Sequence, residues 1–223
     1  MELIAEECTI DTSEIIEYPP SALSFGHSTI QTKGGELKYP VSLGSYGNLS
    51  VVTAPPKSKK SFYCSLLASV YLSGANNFGG KLRGHRDGRC LIHIDTEMGH
   101  WHAARSFKRI EDMSTAKDVG CYKTFALRTV GYKERLDFLE YVLEKNKGKN
   151  GLVILDGVAD IVADVNDLVS CNTAVSKLMQ LSTKYDCHIL CVIHQNFGSS
   201  KMTGHLGSFL EKKAELVTGL ELN

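Results

Sequence analysis

The stretch from Leu49 to Ser73, LSVVTAPPKSKKSFYCSLLASVYLS, constrains the fold more than any other part of the chain. A β-branched run passes through a tight polar turn straight into a segment with helical apolar spacing. Strand, loop and helix in that order frame a phosphate-binding loop. Set against the pattern G-x-x-x-x-G-K-[ST], the eight positions are Ala54, Pro55, Pro56, Lys57, Ser58, Lys59, Lys60 and Ser61, followed by Phe62. Both glycines are replaced, but the groups that meet charge survive. Lys60 can reach the β- and γ-phosphates, the Ser61 hydroxyl can complete a Mg²⁺ shell, and backbone N–H groups of the following helix can complete an anion site. Lys59 is the most consequential departure, because glycine there lets the backbone wrap phosphate with no side chain in the way. Taken alone, the loop also reads as a basic surface turn.

A chain of 223 residues is long enough for one sizeable core. Lys plus Arg and Asp plus Glu each total 25, which excludes the global positive field of a nucleic-acid coat, so any nucleic-acid contact must be local. Seven cysteines are scattered without a C-x-x-C pair, a pattern expected of reduced thiols in a cytoplasmic protein. No basic start leads into an apolar run, and no run reaches membrane-spanning length, so no membrane partner is expected. Cys187, Cys191 and His194 invite a metal reading, but their β-branched, apolar surroundings favour buried core thiols.

Residues 1–48 have poor periodicity and read as an N-terminal arm or small β extension; residues 49–223 read as the core. Beyond the loop, Phe62, Leu66, Leu67, Val70 and Tyr71 predict a helix from about Lys60 to Ser73. Strand candidates follow at Gly88 to Glu97, Tyr122 to Leu127, Gly151 to Asp156, Cys187 to Ile193 and Ala214 to Leu220. Between them lie helices at His100 to Met113, Lys133 to Lys147 and Asn172 to Tyr185. Alternation of this kind argues for an α/β fold, a mostly parallel twisted sheet with helices on both faces. Phe197 to Ser208, rich in Gly, Ser, His and Lys, reads as a mobile loop.

Four strand ends then carry chemistry: Lys60 with Ser61, Asp95 with Glu97, Asp156, and His194 with Gln195. In a parallel sheet these ends share one edge, where open α/β sheets bind their ligands. LVILD closing on Asp156 has the form of a Walker B strand, whose carboxylate holds a metal through water; it also reads as a core strand ended by a turn Asp.

With TAPPKSKKSF, LIHIDTE, GLVILDGVADIV, HILCVIHQN and GHLGSFLEKKAELV in view, the chain resembles the RecA-like P-loop ATPases, a superfamily that includes the RecA recombinase and helicases such as DnaB and plasmid RepA. More closely, it is similar to ATPases of mobilizable transposons and plasmids of Bacteroidetes. The resemblance runs from about Leu49 to Leu222. It implies ATP and Mg²⁺ as cofactors, Glu97 as the group that orients and deprotonates the attacking water, Asp156 as the Walker B carboxylate, and Gln195 with His194 as sensors of the γ-phosphate. It further implies single-stranded DNA as partner, met by the Asn196 to Gly207 loop through Lys201 and His205, and assembly into a hexamer or filament.

Plainer readings stand beside these. Glu97 could cap the helix beginning near His100, His194 could be a core histidine, and the glycine-rich loop a linker. Arg105, Lys108 and Arg109 read as a solvated helix face. No arginine stands out as a finger, and Lys212 or Lys213 lacks the planar fork. Two functions compete: an ATPase acting on DNA in replication, mobilization or transposition of a mobile element, and a non-hydrolysing nucleotide switch built on a degenerate loop.

Overall fold

Runs of Val, Ile and Leu with no polar face form strands only where both faces are covered, and this chain has several. In the computed structural model, which describes residues 1–13, 18–74, 79–116, 120–196 and 198–221, the elements in chain order are α1 (Glu2–Cys8), β1 (Ser21–Thr32), β2 (Gly35–Ser45), β3 (Leu49–Ala54), α2 (Lys60–Ser73), β4 (Leu82–Gly84), β5 (Cys90–Asp95), α3 (His100–Met113), β6 (Tyr122–Ala126), α4 (Tyr132–Lys145), β7 (Asn150–Asp156), α5 (Leu168–Lys184), β8 (His188–His194), α6 (Gly204–Lys213) and β9 (Leu216–Gly219). A short 3₁₀ turn, Val158–Ile161, follows β7. Phe197 of the sequence-read loop, and Leu222 at the end of the resemblance, lie outside the described residues.

Six strands form one parallel sheet in the order β6-β5-β7-β8-β3-β9, flanked by helices, which is the RecA-like P-loop arrangement. Because successive side chains point to opposite faces, each central strand feeds two cores. Leu152 and Ile154 of β7 pack with Leu67, Val70 and Tyr71 of α2 and Ile110 of α3. Val153 and Leu155 pack on the other face with Val142 and Leu143 of α4, Leu178 of α5 and Leu210 of α6.

The N-terminal residues form more than an arm. β1 and β2 make a long antiparallel hairpin, and β4 from beyond α2 adds a third strand to it. Hydrogen bonds at Ser45 and Tyr46 join the end of the hairpin to the core, the His188 ring meeting the Ser45 carbonyl at 2.8 Å. The Glu215 carboxylate accepts hydrogen bonds from the Ser45 amide at 2.9 Å and the Ser45 hydroxyl at 2.7 Å. The Tyr46 hydroxyl meets that of Tyr71 at 2.9 Å and donates to the His85 carbonyl at 2.8 Å.

Two local expectations change. The glycine-rich segment is not loop throughout: from Gly204 it is helix α6, with Leu206 and Leu210 buried. Phe62, expected on the apolar face of α2, is exposed.

Gly151 lies where β7 passes under Tyr71. A Cβ there would press on the Tyr71 hydroxyl and stand 2.7 Å from the Cys90 carbonyl oxygen. Gly151→Ala should destabilise the fold by about 1–3 kcal/mol in urea unfolding. Tyr71→Phe in the same background should recover part of that loss, whereas strictly additive effects would contradict the clash.

Candidate functional site

The phosphate-loop pattern lost its glycines but not their backbone. Lys59, at the second glycine position, adopts φ +64° and ψ +27°, and Lys57 adopts φ +63°. Left-handed geometry is uncommon for residues with a Cβ and costs roughly 1–2 kcal/mol each. It persists where the surroundings over-determine it, as at ligand clamps. Here the Ser58 hydroxyl is buried and donates to the Pro55 carbonyl at 2.5 Å, closing the turn from inside. The Lys57 and Lys59 side chains remain exposed, so they do not fill the loop. Helix α2 then begins at Lys60 with no side-chain cap; the Phe62 amide already donates to the Lys59 carbonyl at 3.0 Å, so the amides of Lys60 and Ser61 are those offered to a ligand.

Lys60 enters a cleft of about 300 Å³ at the C-terminal edge of the sheet, lined also by Lys57, Ser58, Lys59, Ser61, Phe62, Asp95, Glu97, Met98, Asp156 and His194. Register explains the convergence: Ala54 pairs with His194 across β3 and β8, and Asp95 with Asp156 across β5 and β7. The Lys60 ammonium donates to His194 Nδ1 at 2.5 Å and stands 3.3 Å from Nε2. His194 Nε2 in turn faces a Glu97 carboxylate oxygen at 3.6 Å.

Asp95 and Glu97 have different surroundings although only one residue separates them. Asp95 Oδ1 accepts the amides of Glu97 at 3.1 Å and Met98 at 2.7 Å, which turns the chain after β5 and lets the half-exposed Glu97 reach into the cleft. Thr96 points the other way, its buried hydroxyl bonding the Gly157 carbonyl at 2.9 Å and the Asp160 carboxylate at 2.9 Å. Gly157 has φ +92°, and a Cβ on it would crowd Thr96 and lie 2.8 Å from Glu97 Cγ, so only glycine fits after Asp156.

Three lysines and three carboxylates line the cleft, but of the lysines only Lys60 is buried with Asp95 and Asp156. Burial, then the neighbouring Asp95 and Glu97 carboxylates, raise the Asp156 pKa to about 7, with Lys60 opposing. Burial also raises Asp95 and lowers Lys60, the latter resisted by Glu97 and Asp156. A buried carboxylate forced toward its neutral form by two others fits a site completed by a hard divalent cation such as Mg²⁺.

The remaining candidates lie nearby but not in the cleft. Pro55, Pro56 and Gln195 line an adjoining cavity on the outer side of the loop, and the Gln195 amide donates to the Ala54 carbonyl at 3.0 Å. Lys201 and His205 line a third cavity with Asn166 and Asn196, and His205 sits in the first turn of α6 rather than in a loop.

Arg109 is the residue that the sequence reading missed. It is not on a solvated face: its guanidinium lies 4.2 Å from the Phe62 ring centroid and donates to Ser65 Oγ at 2.9 Å and the Ser61 carbonyl at 3.4 Å. It thereby braces the first turn of α2 from α3. The only signal for it was Ser61 and Ser65 one helical turn apart.

Asp156 supplies a stability test. Its folded pKa lies above the unfolded value of 3.8, so the folded state binds the proton more tightly. The stabilisation this gives is lost as pH rises from about 4 through about 7. Without divalent cations, Asp156→Asn should therefore be more stable than the parent by on the order of 2–4 kcal/mol at pH 8, with the gain vanishing near pH 4. Urea unfolding across this range checks it; a pH-independent difference would contradict it.

Comparison with known proteins bears on the family and the fold. The sequence profile of the AAA domain family matches residues 43–199, which holds β3, the loop, Glu97, Asp156, His194 and Gln195. No curated protein matches. Among solved structures, the ATPase domain of G40P superposes with a TM-score of 0.52 at 13% identity, covering 78% of this chain and 69% of that one. The RadB recombinase gives 0.49 at 12% identity, covering 77% and 73%. The profile spans well over half of the residues, and the chain belongs to the AAA domain family.

Proposed function

We propose that the protein is a magnesium-dependent ATPase of a mobile element that acts on DNA. The observation that carries this reading is the meeting of Lys60, Ser61, Glu97 and Asp156, from separate segments, in one cleft at the C-terminal edge of the sheet. Lys60 is the cation for the β- and γ-phosphates, while the Ser61 hydroxyl and the Asp156 carboxylate, directly or through water, hold magnesium. Magnesium held by these two residues would supply positive charge beside the nucleotide phosphates. Glu97 orients the attacking water and takes its proton; Asp95, held by backbone amides, is the positioning group that keeps Glu97 there.

The DNA part of the proposal rests on the segment after β8. Gln195 pairs with Met202, the Asn196 amide donates to the Lys201 carbonyl at 2.9 Å, and the Thr203 amide donates to the His194 carbonyl at 3.1 Å. Lys201 thus rides on a short loop tied directly to a residue of the cleft, an arrangement suited to passing nucleotide state to a phosphate backbone. Single-stranded DNA, a homo-oligomer and a cytoplasmic setting follow from the resemblance to mobilization ATPases. Among the described residues, no helix is long and apolar enough to cross a membrane. Residues 1–48 are read as an extension that the hairpin joins to the 49–223 core.

A second reading, a nucleotide switch without turnover, is favoured by the loss of both loop glycines, at Ala54 and Lys59. ATP hydrolysis with Mg²⁺, with and without single-stranded DNA, separates the two. Under the ATPase reading, Glu97→Gln should keep nucleotide binding and lose about 10²-fold or more in turnover, while Lys60→Ala should weaken both. Binding with no turnover in the parent would favour the switch. Lys201→Ala should lower DNA affinity and reduce the slope of log affinity against log salt by about 1; an unchanged slope would remove Lys201 from the interface.

A further inference from the structure

The contact between Lys60 and His194 is unexpected in a phosphate site, because the lysine is already engaged. An ammonium group has donors only, so His194 Nδ1, the nearer nitrogen at 2.5 Å, must accept. The same ammonium stands 3.3 Å from Nε2, and Glu97 Oε2 lies 3.6 Å from that nitrogen, beyond hydrogen-bond reach of a neutral ring. One ring therefore occupies the cation meant for the phosphates and stands beside the carboxylate meant for the water.

The ring has little freedom to follow either partner. Its backbone is fixed by pairing with Ala54, and its carbonyl accepts both the Thr203 amide at 3.1 Å and the Thr203 hydroxyl at 2.9 Å. When Lys60 moves to a phosphate, His194 cannot translate with it. Nδ1 loses its donor, and the strain of that change falls on the β8 end from which the Lys201 loop departs.

We propose that His194 is a positioning residue that latches the cleft in a resting state, holding Lys60 until a nucleotide phosphate draws the lysine away. The proposal rests on the nucleotide-binding reading of the same cleft. Its consequence is specific: nucleotide must displace the Lys60–His194 contact before it can use Lys60, so the latch lowers affinity. The groups around the ring are Lys60 from α2, Glu97 from the turn after β5 and Asp156 from β7, all in the one cleft.

Two substitutions test the contact. Leu removes both ring nitrogens, whereas Asn places an acceptor oxygen near the Nδ1 position. Binding of Mg·ADP, measured by calorimetry, avoids turnover. His194→Leu should bind about three- to tenfold more tightly than the parent, and His194→Asn about as tightly as the parent. If Lys60→Ala abolishes binding and His194→Leu binds no more tightly than the parent, the latch is wrong and the nucleotide reading stands. If Lys60→Ala binds like the parent, both fall. A readout free of folding artefacts uses the parent protein with ¹⁵N-labelled histidine: saturating Mg·ADP should shift the His194 Nδ1 resonance, assigned by its absence in either variant. An unmoved resonance overturns the latch.

Discussion

The left-handed backbone at Lys59 is the constraint on which the site depends. A loop that leaves β3 at Ala54 must reverse within a few residues and enter α2 with its first amides facing the sheet edge, and that requires a positive φ immediately before Lys60. Glycine does this at no steric cost. Here a lysine does it, held by the buried Ser58 turn and by Arg109 bracing the first turn of the helix. Once Lys59 is placed, Lys60 has one direction to go, into the cleft, and His194, paired with the residue that starts the loop, is the first group that it meets.

The second constraint is electrostatic and comes from the sheet. Parallel strands buried on both faces must end somewhere polar, and β5, β7 and β8 end side by side. Their ends gather Asp95, Glu97, Asp156 and His194 around one buried lysine, Lys60, with the exposed Lys57 and Lys59 also lining the cleft. Asp95 is satisfied by backbone amides, whereas burial pushes Asp156 toward neutrality. The resting cleft thus holds a strained carboxylate and a lysine already in contact with His194. Both features disfavour the isolated protein and favour arrival of a metal with a phosphate chain.

The alternation of apolar runs with amphipathic segments made the parallel sheet legible, because period and run length report burial directly. Strand-end positions of Lys60, Glu97, Asp156 and His194 were legible for the same reason: topology alone brings them together. Less visible was whatever depends on side-chain direction. Arg109 shares a helix with Arg105 and Lys108, yet it turns inward to Phe62, which sequence spacing had assigned to the core. Helix α6 was hidden because Gly204 and Gly207 lower its intrinsic propensity; tertiary packing of Leu206 and Leu210 overrides that. The β extension expected before the core is present, but its length and its third strand were not legible, because bulges interrupt its alternation and much of it is exposed on both faces. Gln195 was expected in the cleft, but the period-two alternation after His194 carries it to the adjoining cavity.

Backbone shape at Lys59, not its side chain, is what would fit this loop to phosphate. Calorimetric affinity for Mg·ADP, compared between Lys59→Gly and Lys59→Val, tests it most directly. Glycine relieves the strain and valine resists a positive φ. Lys59→Gly is predicted to bind at least as tightly as the parent and Lys59→Val to lose most binding. Equal loss in both would contradict the account, because it would mean that the Lys59 ammonium itself holds the ligand.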